Sequence, residues 1–524
     1  MHRSATLALL LWGGLARAQT PTVRAADLGP GKGPRILAGA LAHPYVVVPP
    51  GVGEAMLPRD STYAATVLVL GRTAVVEGTV HGDIIVVGGD LHLHPRAIVS
   101  GRAIAIGGGV YESTMSRVGG GTLAFRDFTY DVTTGADGYD LRYRSLLDQP
   151  RTLLTWPGAY GLRVPTYDRA SGLSVPVAPA IAPGTRLRIE PRITYRSQLG
   201  EIDPSGEIRY RLNSRTALTA SGGRATFTND AWIWPDLVNS LATLAAGHDT
   251  RNYYRATRFD AAVSRSAEWG DGTMGGYFGG RWERAESVRP GPEVNGGPWT
   301  IIGRHDRDDI LRPNPAVDRS TIISGLLGAS LEQETQGIVA RARVDVEGGG
   351  VALADAGDNA FLQSTLDGVI TFPTFGAQSL RFHGHAVATA SGSIAADKVT
   401  VPALGATGQG APLLVRETKT PRQRFVYVGG AGSVPSLGLL ERGGDQLIYL
   451  DSRYNFPLTA VPLPFGAFPV LSLREVLGGA DIRRWPTLAQ ATGVRLSVSV
   501  AYVEFLVDPD RRTSHFGVGL STAR

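Results

Sequence analysis

The chain has 524 residues, is 43% hydrophobic, and carries a formal net charge of +5, with 67 glycines and no cysteine. That length allows more than one folding unit. The lack of cysteine excludes a disulfide framework and leaves stability to a large core or a closed sheet, while the small, dispersed charge excludes a nucleic-acid partner.

The first residues read as an export signal. Met1, His2 and Arg3 supply a basic start, Ala5 to Leu11 with Trp12 an apolar stretch, and Ala16-Arg17-Ala18 a small-x-small cleavage signal. Residues 1–18 are therefore expected to be a cleaved signal peptide. Beyond them no run of about eighteen apolar residues occurs, so no transmembrane helix is expected. A β-barrel is then the remaining way to cross a bilayer with every backbone hydrogen bond satisfied. Residues 19–60 are rich in Pro, Gly and Ala and read as a linker or irregular cap, with turn signals at Gly29-Pro30-Gly31 and Pro49-Pro50-Gly51.

Residues 61–115 change character. Thr66 to Gly71, Val75 to Gly89 and Ile98 to Gly108 are short β-branched runs separated by single or paired glycines. Near-regular spacing of this kind predicts stacked rungs of a small β-solenoid, with glycine at the corners; a small antiparallel sheet is the other reading. The V-x-G-x-x-x-G-D-I text followed by V-x-G-G resembles the polymer-forming bactofilin type of repeat over about forty-five residues.

From residue 120 to the end, apolar and polar residues alternate, and the polar positions are often charged. Arg186, Arg188, Glu190, Arg192 and Arg196 alternate with Leu187, Ile189, Ile193 and Tyr195. Glu207, Arg209 and Arg211 alternate with Ile208, Tyr210 and Leu212. Arg341, Arg343, Asp345 and Glu347 alternate with Ala340, Ala342, Val344 and Val346, and Arg381, His383 and His385 with Leu380, Phe382 and Ala386. Val494, Leu496, Val498, Val500 and Tyr502 alternate with Arg495 and serines, and Phe516, Val518 and Leu520 close the series. Period two places each set on its own face of a sheet. Segment length, segment number and aromatics such as Tyr195, Tyr210, Tyr502 and Phe516 near strand ends predict a transmembrane antiparallel β-barrel of about 12–16 strands over residues 120–524. Its charged set, Arg186 to His385 as named, is expected to face the lumen. Unpaired arginines there would favour anions, whereas paired ones would form cross-strand ladders. Long gaps fall at 285–318 and 392–421. A short helix is expected between Asp230 and Gly247, begun by Pro235, stopped by Gly247, with Leu237, Leu241 and Leu244 on one face.

The last hundred residues carry further motifs. Phe425 to Gly430 (F-V-Y-V-G-G) is followed by Gly443-Gly444, then Arg453-Tyr454-Asn455-Phe456-Pro457-Leu458, Phe465-Gly466-Ala467-Phe468, Gly493-Val494-Arg495-Leu496 and His515-Phe516-Gly517-Val518-Gly519-Leu520. In this order they resemble the C-terminal barrel of the bacterial surface antigen family, which includes outer-membrane assembly and two-partner-secretion barrels. The resemblance implies up to sixteen antiparallel strands, a polar lumen, a seam between first and last strands, and polypeptide insertion or secretion. The family's inward loop carries an Arg-Gly pair near the paired glycines; here Gly429 to Gly438 has no arginine, and Arg442-Gly443 stands further on. The family's αβ receiving modules have no counterpart before residue 120, and the chain closes on Thr522-Ala523-Arg524 instead of an aromatic residue.

His92/His94 and His383/His385 each place two imidazoles on one strand face, too few ligands for a zinc site without a completing Cys or carboxylate. No Gly-x-Ser-x-Gly elbow or phosphate loop occurs. The sequence thus points to a non-enzymatic outer-membrane barrel without cofactor or metal, in envelope biogenesis, protein secretion or insertion, or passive transport. Expected partners are outer-membrane lipid, the barrel-assembly machinery and a periplasmic protein bound through residues 61–115. A secreted soluble β-rich adhesion or glycan-active protein is the competing reading.

Overall fold

The computed structural model describes residues 21–29, 31–113, 116–135, 137–146, 153–269, 272–288, 300–301, 312–317, 319–335, 337–353, 357–392, 400–403, 411–415, 418–458, 461, 469–498 and 501–520. The expected signal peptide, residues 1–18, lies outside the described residues. The chain divides into two compact units, Met1–Leu147 and Asp148–Arg524.

In the first unit three parallel sheets wrap one core. Val67 pairs with Ile84, Ile84 with Ala103 and Ala103 with Thr122. One turn of chain takes 17 to 19 residues here, and 21 from the first rung, where Tyr45 pairs with Thr66. Gly71, Gly88 and Gly107 fall at the same corner of successive rungs with φ of +68°, +75° and +83°, a backbone region that glycine adopts without steric cost. Alternate residues divide between two cores. Val67, Val69, Ile84, Val86, Ala103 and Ala105 point into the solenoid. Leu68, Leu70, Ile85, Val87, Ile104 and Ile106 point the other way, against helix α1 (Lys32–Leu41) and a three-stranded sheet of Thr22–Asp27, Phe128–Thr134 and Gly138–Ser145. Between rungs, the Asp83 carboxylate accepts hydrogen bonds from the Arg102 backbone N–H at 2.8 Å and from its guanidinium at 2.7 and 3.1 Å.

Solenoid strands run from Tyr45–Val48 to Thr122–Phe125, about four turns, so the solenoid extends past both ends of the expected 61–115. The stretch read as irregular, 19–60, contains α1 and the strands Tyr45–Val48 and Ala55–Leu57. Its Pro and Gly residues mark boundaries of short elements, and Tyr45-Val46-Val47-Val48 is a rung lacking the glycine that flags the later ones.

The second unit is built on an 18-segment sheet whose neighbours pair antiparallel. Leu154–Thr155 and Thr166–Asp168 are two stretches of one pass, and Gly172–Val177 and Ala180–Ile181 of the next. Bridges of Leu162 to Ala159 and Val177 lie in the interruption. Counted this way the sheet has sixteen passes. Passes 3 to 5 are Leu187–Arg196, Glu201–Arg211 and Thr216–Phe227; passes 6 to 9 are Tyr254–Trp269, Gly272–Ser287, Ser320–Thr335 and Ile338–Leu353; passes 10 and 11 are Gly357–Pro373 and Ser379–Ser391. Passes 12 to 16 are Gln446–Pro457, Val470–Asp481, Ala489–Val498, Ala501–Asp508 and Thr513–Leu520. Alternating direction puts the long connections 228–253, 288–319 and 392–445 at one end, the loop end. The tight hairpins that pair Trp269 with Gly272 and Val498 with Ala501 fall at the other, the turn end. Passes 6 to 9 have 16 residues each, roughly 50 Å of strand, and so extend past a hydrocarbon layer of about 30 Å.

The sheet has one apolar and one ionic face. Phe278 lies between Val263 and Leu327 across passes 6 to 8, and Phe505 between Val494 and Phe516 across passes 14 to 16. All of these except Val263 are strongly exposed. The opposite face carries Asp203, Glu283, Asp451, Arg474 and Glu504, all buried. Apolar side chains outside and charges inside define a transmembrane antiparallel β-barrel. Tyr502 departs from the expected aromatic rim: it is 4% exposed, with the Arg495 guanidinium 3.7 Å above its ring. The chain reverses between Val498 and Ala501, which pair with each other, so alternation read straight through from Val494 to Tyr502 assigns Tyr502 to the wrong face.

Because Ile85 is fully buried beneath the small sheet while Ile98 is 41% exposed, Ile85→Ala should destabilise the first unit by about 2–4 kcal/mol and Ile98→Ala by about 0.5 kcal/mol or less. Hydrogen exchange of residues 66–106 in the full chain reads this difference. Equal effects would contradict the two-core arrangement.

Candidate functional site: an ion-clamped plug inside the barrel

The connection between passes 11 and 12 turns back into the barrel. A 3-10 turn, Arg422–Arg424, leads into strand Val426–Val428, which pairs antiparallel with Arg442–Gly444. Between them Gly429, Gly430 and Gly432 take φ of +135°, +79° and +88°. A Cβ on Gly432 would lie 2.5 Å from the Trp234 ring nitrogen, so this turn needs glycine both for conformation and for close approach. Val426, Val428, Val434 and Leu437 pack on Val387, Leu447, Tyr449 and Val476 of passes 11 to 13. The loop is thus an apolar plug seated on the inner wall.

Arg424 fixes it. Its side chain is 3% exposed. Nη1 donates to Glu283 Oε1 at 2.8 Å, while Nη2 and Nε donate to the two Glu347 oxygens at 2.8 and 3.0 Å. Glu283 also accepts from Arg258 at 2.7 Å, and Glu347 from Ser324 at 2.8 Å and Arg281 at 3.3 Å. Arg281 in turn holds Asp260 at 2.8 Å. Three guanidinium groups therefore meet three carboxylates, a balanced set whose centre, Arg424 with Glu283, is buried while Arg258, Arg281 and Asp260 at its margin are partly exposed. Burial opposes the charge on Arg424, but Glu283 and Glu347 outweigh it and hold its pKa well above the ordinary arginine value. The neighbouring backbone is held too. Gln363 donates to the Arg424 carbonyl at 2.9 Å, Asn229 to those of Gln423 and Phe425 at 2.7 and 2.9 Å, and Gln423 to Ser320 Oγ at 2.6 Å.

A second tie runs to the loop between passes 5 and 6. Both oxygens of buried Asp230 are used: one accepts the Asn252 N–H at 2.8 Å, the other the plug's Tyr427 N–H at 3.1 Å. Burial raises the Asp230 carboxyl to about 7, against the opposing pull of those two N–H groups and of Arg312 and Arg251. In the same loop α2 (Asp236–Ala246) starts after Pro235 and ends at Gly247 with φ +76°, as its boundary residues predict. Leu237 and Leu241 are exposed, while Val238, Asn239, Ser240 and Thr243 are buried. Asn239 accepts from the Thr250 N–H at 3.0 Å and donates to Asp249 at 3.0 Å, so a polar network chooses the inner face. Arg169, at the turn between passes 1 and 2, joins this network through the Arg251 carbonyl at 3.0 Å and Asn314 at 2.6 Å.

The charged residues expected in the lumen fall into several settings. Glu347 belongs to the plug clamp. His383 and His385 flank Asp367 at 3.4 and 3.0 Å, and Trp232 stacks on His385 with centroids 4.5 Å apart. Among the described residues no group of three or more His, Cys, Asp or Glu is arranged to hold a metal. His92 stacks on Tyr111 and His94 pairs with Glu77. Arg196 pairs with Asp203. Arg188 and Arg163 both meet Glu190. Arg343 meets Asp345 at 2.6 Å, and Arg341 meets Glu332 at 2.9 Å. Arg186 precedes pass 3 in an exposed turn, and Arg192, Glu207 and Arg209 are exposed on passes 3 and 4. Arg211 donates to the Thr185 carbonyl at 3.0 Å. Arg381 stands opposite Arg453.

The register only partly makes cross-strand ladders. Arg188 faces Arg209 and Glu190 faces Glu207, so like charges stand directly opposite each other there. Arg188–Glu190, Arg343–Asp345 and Arg453–Asp451 run along single strands instead. Opposed ion pairs do occur elsewhere: Arg258 with Glu283, Arg281 with Asp260 and Arg495 with Glu504. Arg442, a candidate for the family's inward arginine, is hydrogen-bonded to the Thr487 carbonyl and takes no part in the clamp. Arg424, unremarked in the sequence, is the inward one. Its signal is local: Pro421-Arg422-Gln423-Arg424 stands just ahead of the Val426/Val428 alternation and the paired glycines.

Sixteen passes, two long inward loops and an ionic interior define the class: a plugged transmembrane β-barrel. No family model matches the chain, and no curated protein matches it significantly. Among solved structures it is similar to CdiB from Acinetobacter baumannii (12% identity, TM-score 0.36, covering 75% of this chain and 66% of that one). It is also similar to BamA from Haemophilus ducreyi lacking POTRA domains 1-3 (10%, 0.41, 75% and 73%). A third is the siderophore receptor PirA from Pseudomonas aeruginosa (10%, 0.31, 75% and 73%). The chain thus spans slightly less than two thirds of the length of the CdiB structure. Likeness at this level carries nothing about activity.

Removing one partner from a buried ion pair costs about 3–5 kcal/mol, so Arg424→Met should release the plug. Single-channel recording in planar bilayers should then show a severalfold higher conductance than the native chain, with Glu283→Gln intermediate. Unchanged conductance would mean that the plug is held by its apolar contacts alone.

The raised Asp230 carboxyl gives a pH dependence of defined sign. The assembled loop binds the proton more tightly than the opened loop, so assembly is favoured as pH falls below about 7 and loses support as pH rises through it. Hydrogen exchange at residues 250–253 and 426–428, corrected for intrinsic rates, should be faster at pH 8 than at pH 5.5. Asp230→Asn should remove the difference.

Proposed function

We propose that this chain is an outer-membrane β-barrel of surface-antigen type that acts in envelope biogenesis, by secreting or inserting polypeptide or by passive transport, and that the Arg424-held plug controls access to its lumen. The observation that carries the reading is the plug itself: an apolar hairpin seated on the inner wall and clamped by a charge-balanced cluster. A structural β-protein needs no such removable element. The apolar outer face supports membrane residence over a secreted soluble adhesion or glycan-active protein.

The edges of the sheet support the secretion or insertion branch. Among the described residues no ladder joins pass 16 to pass 1, while α2 contacts both. An unzipped seam beside a mobile-capable plug suits a polypeptide client. In this reading residues 1–18 direct export, the turn end faces the periplasm, the barrel-assembly machinery inserts the chain among outer-membrane lipids, and the repeats at 61–115 bind a periplasmic partner or polymerise in the bactofilin manner.

The test is heat modifiability of the full chain in detergent together with cell fractionation. A mobility shift on boiling and recovery in the outer membrane are expected. A chain without a shift that stays in the periplasm or medium overturns the proposal.

A further inference from the structure

We propose that the turn-end mouth of the barrel holds a binding site for a compact, multiply charged phosphate anion, cradled by Arg209, Arg211, Arg215, Arg265 and Arg343. These five guanidinium-bearing residues line one cavity of about 280 Å³. The site is separate from the plug clamp and does not depend on what the barrel carries.

The register explains the cavity. Across passes 4 to 9 a single row runs Arg211, Ala217, Ser264, Tyr277, Gly328 and Asp345. Arginine stands at one bank, and the next row places Arg343 at the other, opposite Ser330 and, through it, Gly275. The residues between are mostly small, so the wall is hollow where the arginines can reach. No carboxylate lines the cavity.

The charges there are incompletely satisfied. Arg343 is paired with Asp345, and Arg211 is anchored by the Thr185 carbonyl, which holds both side chains in place with N–H groups to spare. Among the described residues Arg209, Arg215 and Arg265 have no acidic partner, and Arg188 stands directly opposite Arg209. Like charges crowded in this way repel, and a polyanion relieves the repulsion. The planar guanidinium fork matches phosphate oxygens two at a time. The cavity is at the small end for ligand sites, which suits a phosphate cluster or headgroup better than an extended acidic peptide.

The probe is tripolyphosphate, titrated calorimetrically into the full-length protein in non-ionic detergent at low salt. Saturable binding is expected, weakened at least tenfold in Arg209→Gln/Arg343→Gln and unchanged in Arg341→Gln, whose guanidinium pairs with Glu332 outside the cavity. Heat modifiability of the double variant shows that it has folded. Competition by phosphatidylglycerol but not phosphatidylcholine vesicles identifies a lipid headgroup as the source; no competition identifies a soluble phosphate, and either supports the site. Binding that does not saturate, or that is equal in the double variant and Arg341→Gln, overturns it. Hexaglutamate binding as tightly as tripolyphosphate overturns the assignment to phosphate.

Discussion

A hydrocarbon solvent offers no hydrogen-bond partner, so a chain that crosses it must pair every backbone N–H and C=O within itself. For this sequence that constraint pairs successive passes antiparallel and turns one face of each pass inward. Nearly everything else follows from what that face carries. Period two delivers arginines and carboxylates to the inner face, and those buried there, such as Glu283, Asp451, Arg474 and Glu504, cannot remain unpaired at low cost. The interior is therefore organised as local ion clusters: Arg258, Arg281 and Arg424 with Asp260, Glu283 and Glu347, and Arg453, Arg474 and Arg495 with Asp451 and Glu504.

The two clusters differ in where their members originate. The second is built wholly from passes 12 to 15, so it stiffens the wall. The first borrows one guanidinium from a loop. The wall cluster without Arg424 would hold three carboxylates against two arginines, and the missing charge arrives only when the plug is seated. Loop placement and wall electrostatics are therefore one event, and this coupling turns a passive interior into a latch. Asp230 extends it by tying the plug backbone to the loop that carries α2.

Much of the wall was legible in the sequence. Arg343, Asp345 and Glu347 announce a strand by alternation, and pass 9 contains them. Alternation fails where the chain reverses without a Gly or Pro to mark it, as between Val498 and Ala501 before Tyr502. It also fails where fewer than five residues form a stretch, as in the broken pass 1. The solenoid corners Gly71, Gly88 and Gly107 were visible as spacing, whereas the first rung, Tyr45–Val48, has Pro50 at that corner position. Arg424 was illegible for a deeper reason. Its partners Glu283 and Glu347 lie 141 and 77 residues away, on strands whose adjacency to the loop is set only when the barrel closes. The spacing of the leucines in α2 left open which of its faces is buried; Asn239 and Thr243, whose partners include Asp249, Thr250 and His248, decide it.

The claim that Arg424 holds the plug can be read directly, since the chain has no native cysteine. Ser433 is fully buried within the plug, so Ser433→Cys supplies a single reporter for maleimide labelling of the full-length protein in proteoliposomes. The account predicts slow labelling with Arg424 in place and labelling at least tenfold faster when Arg424→Met is added. Equal rates in the two backgrounds would contradict it and would leave the plug as a fixed part of the wall.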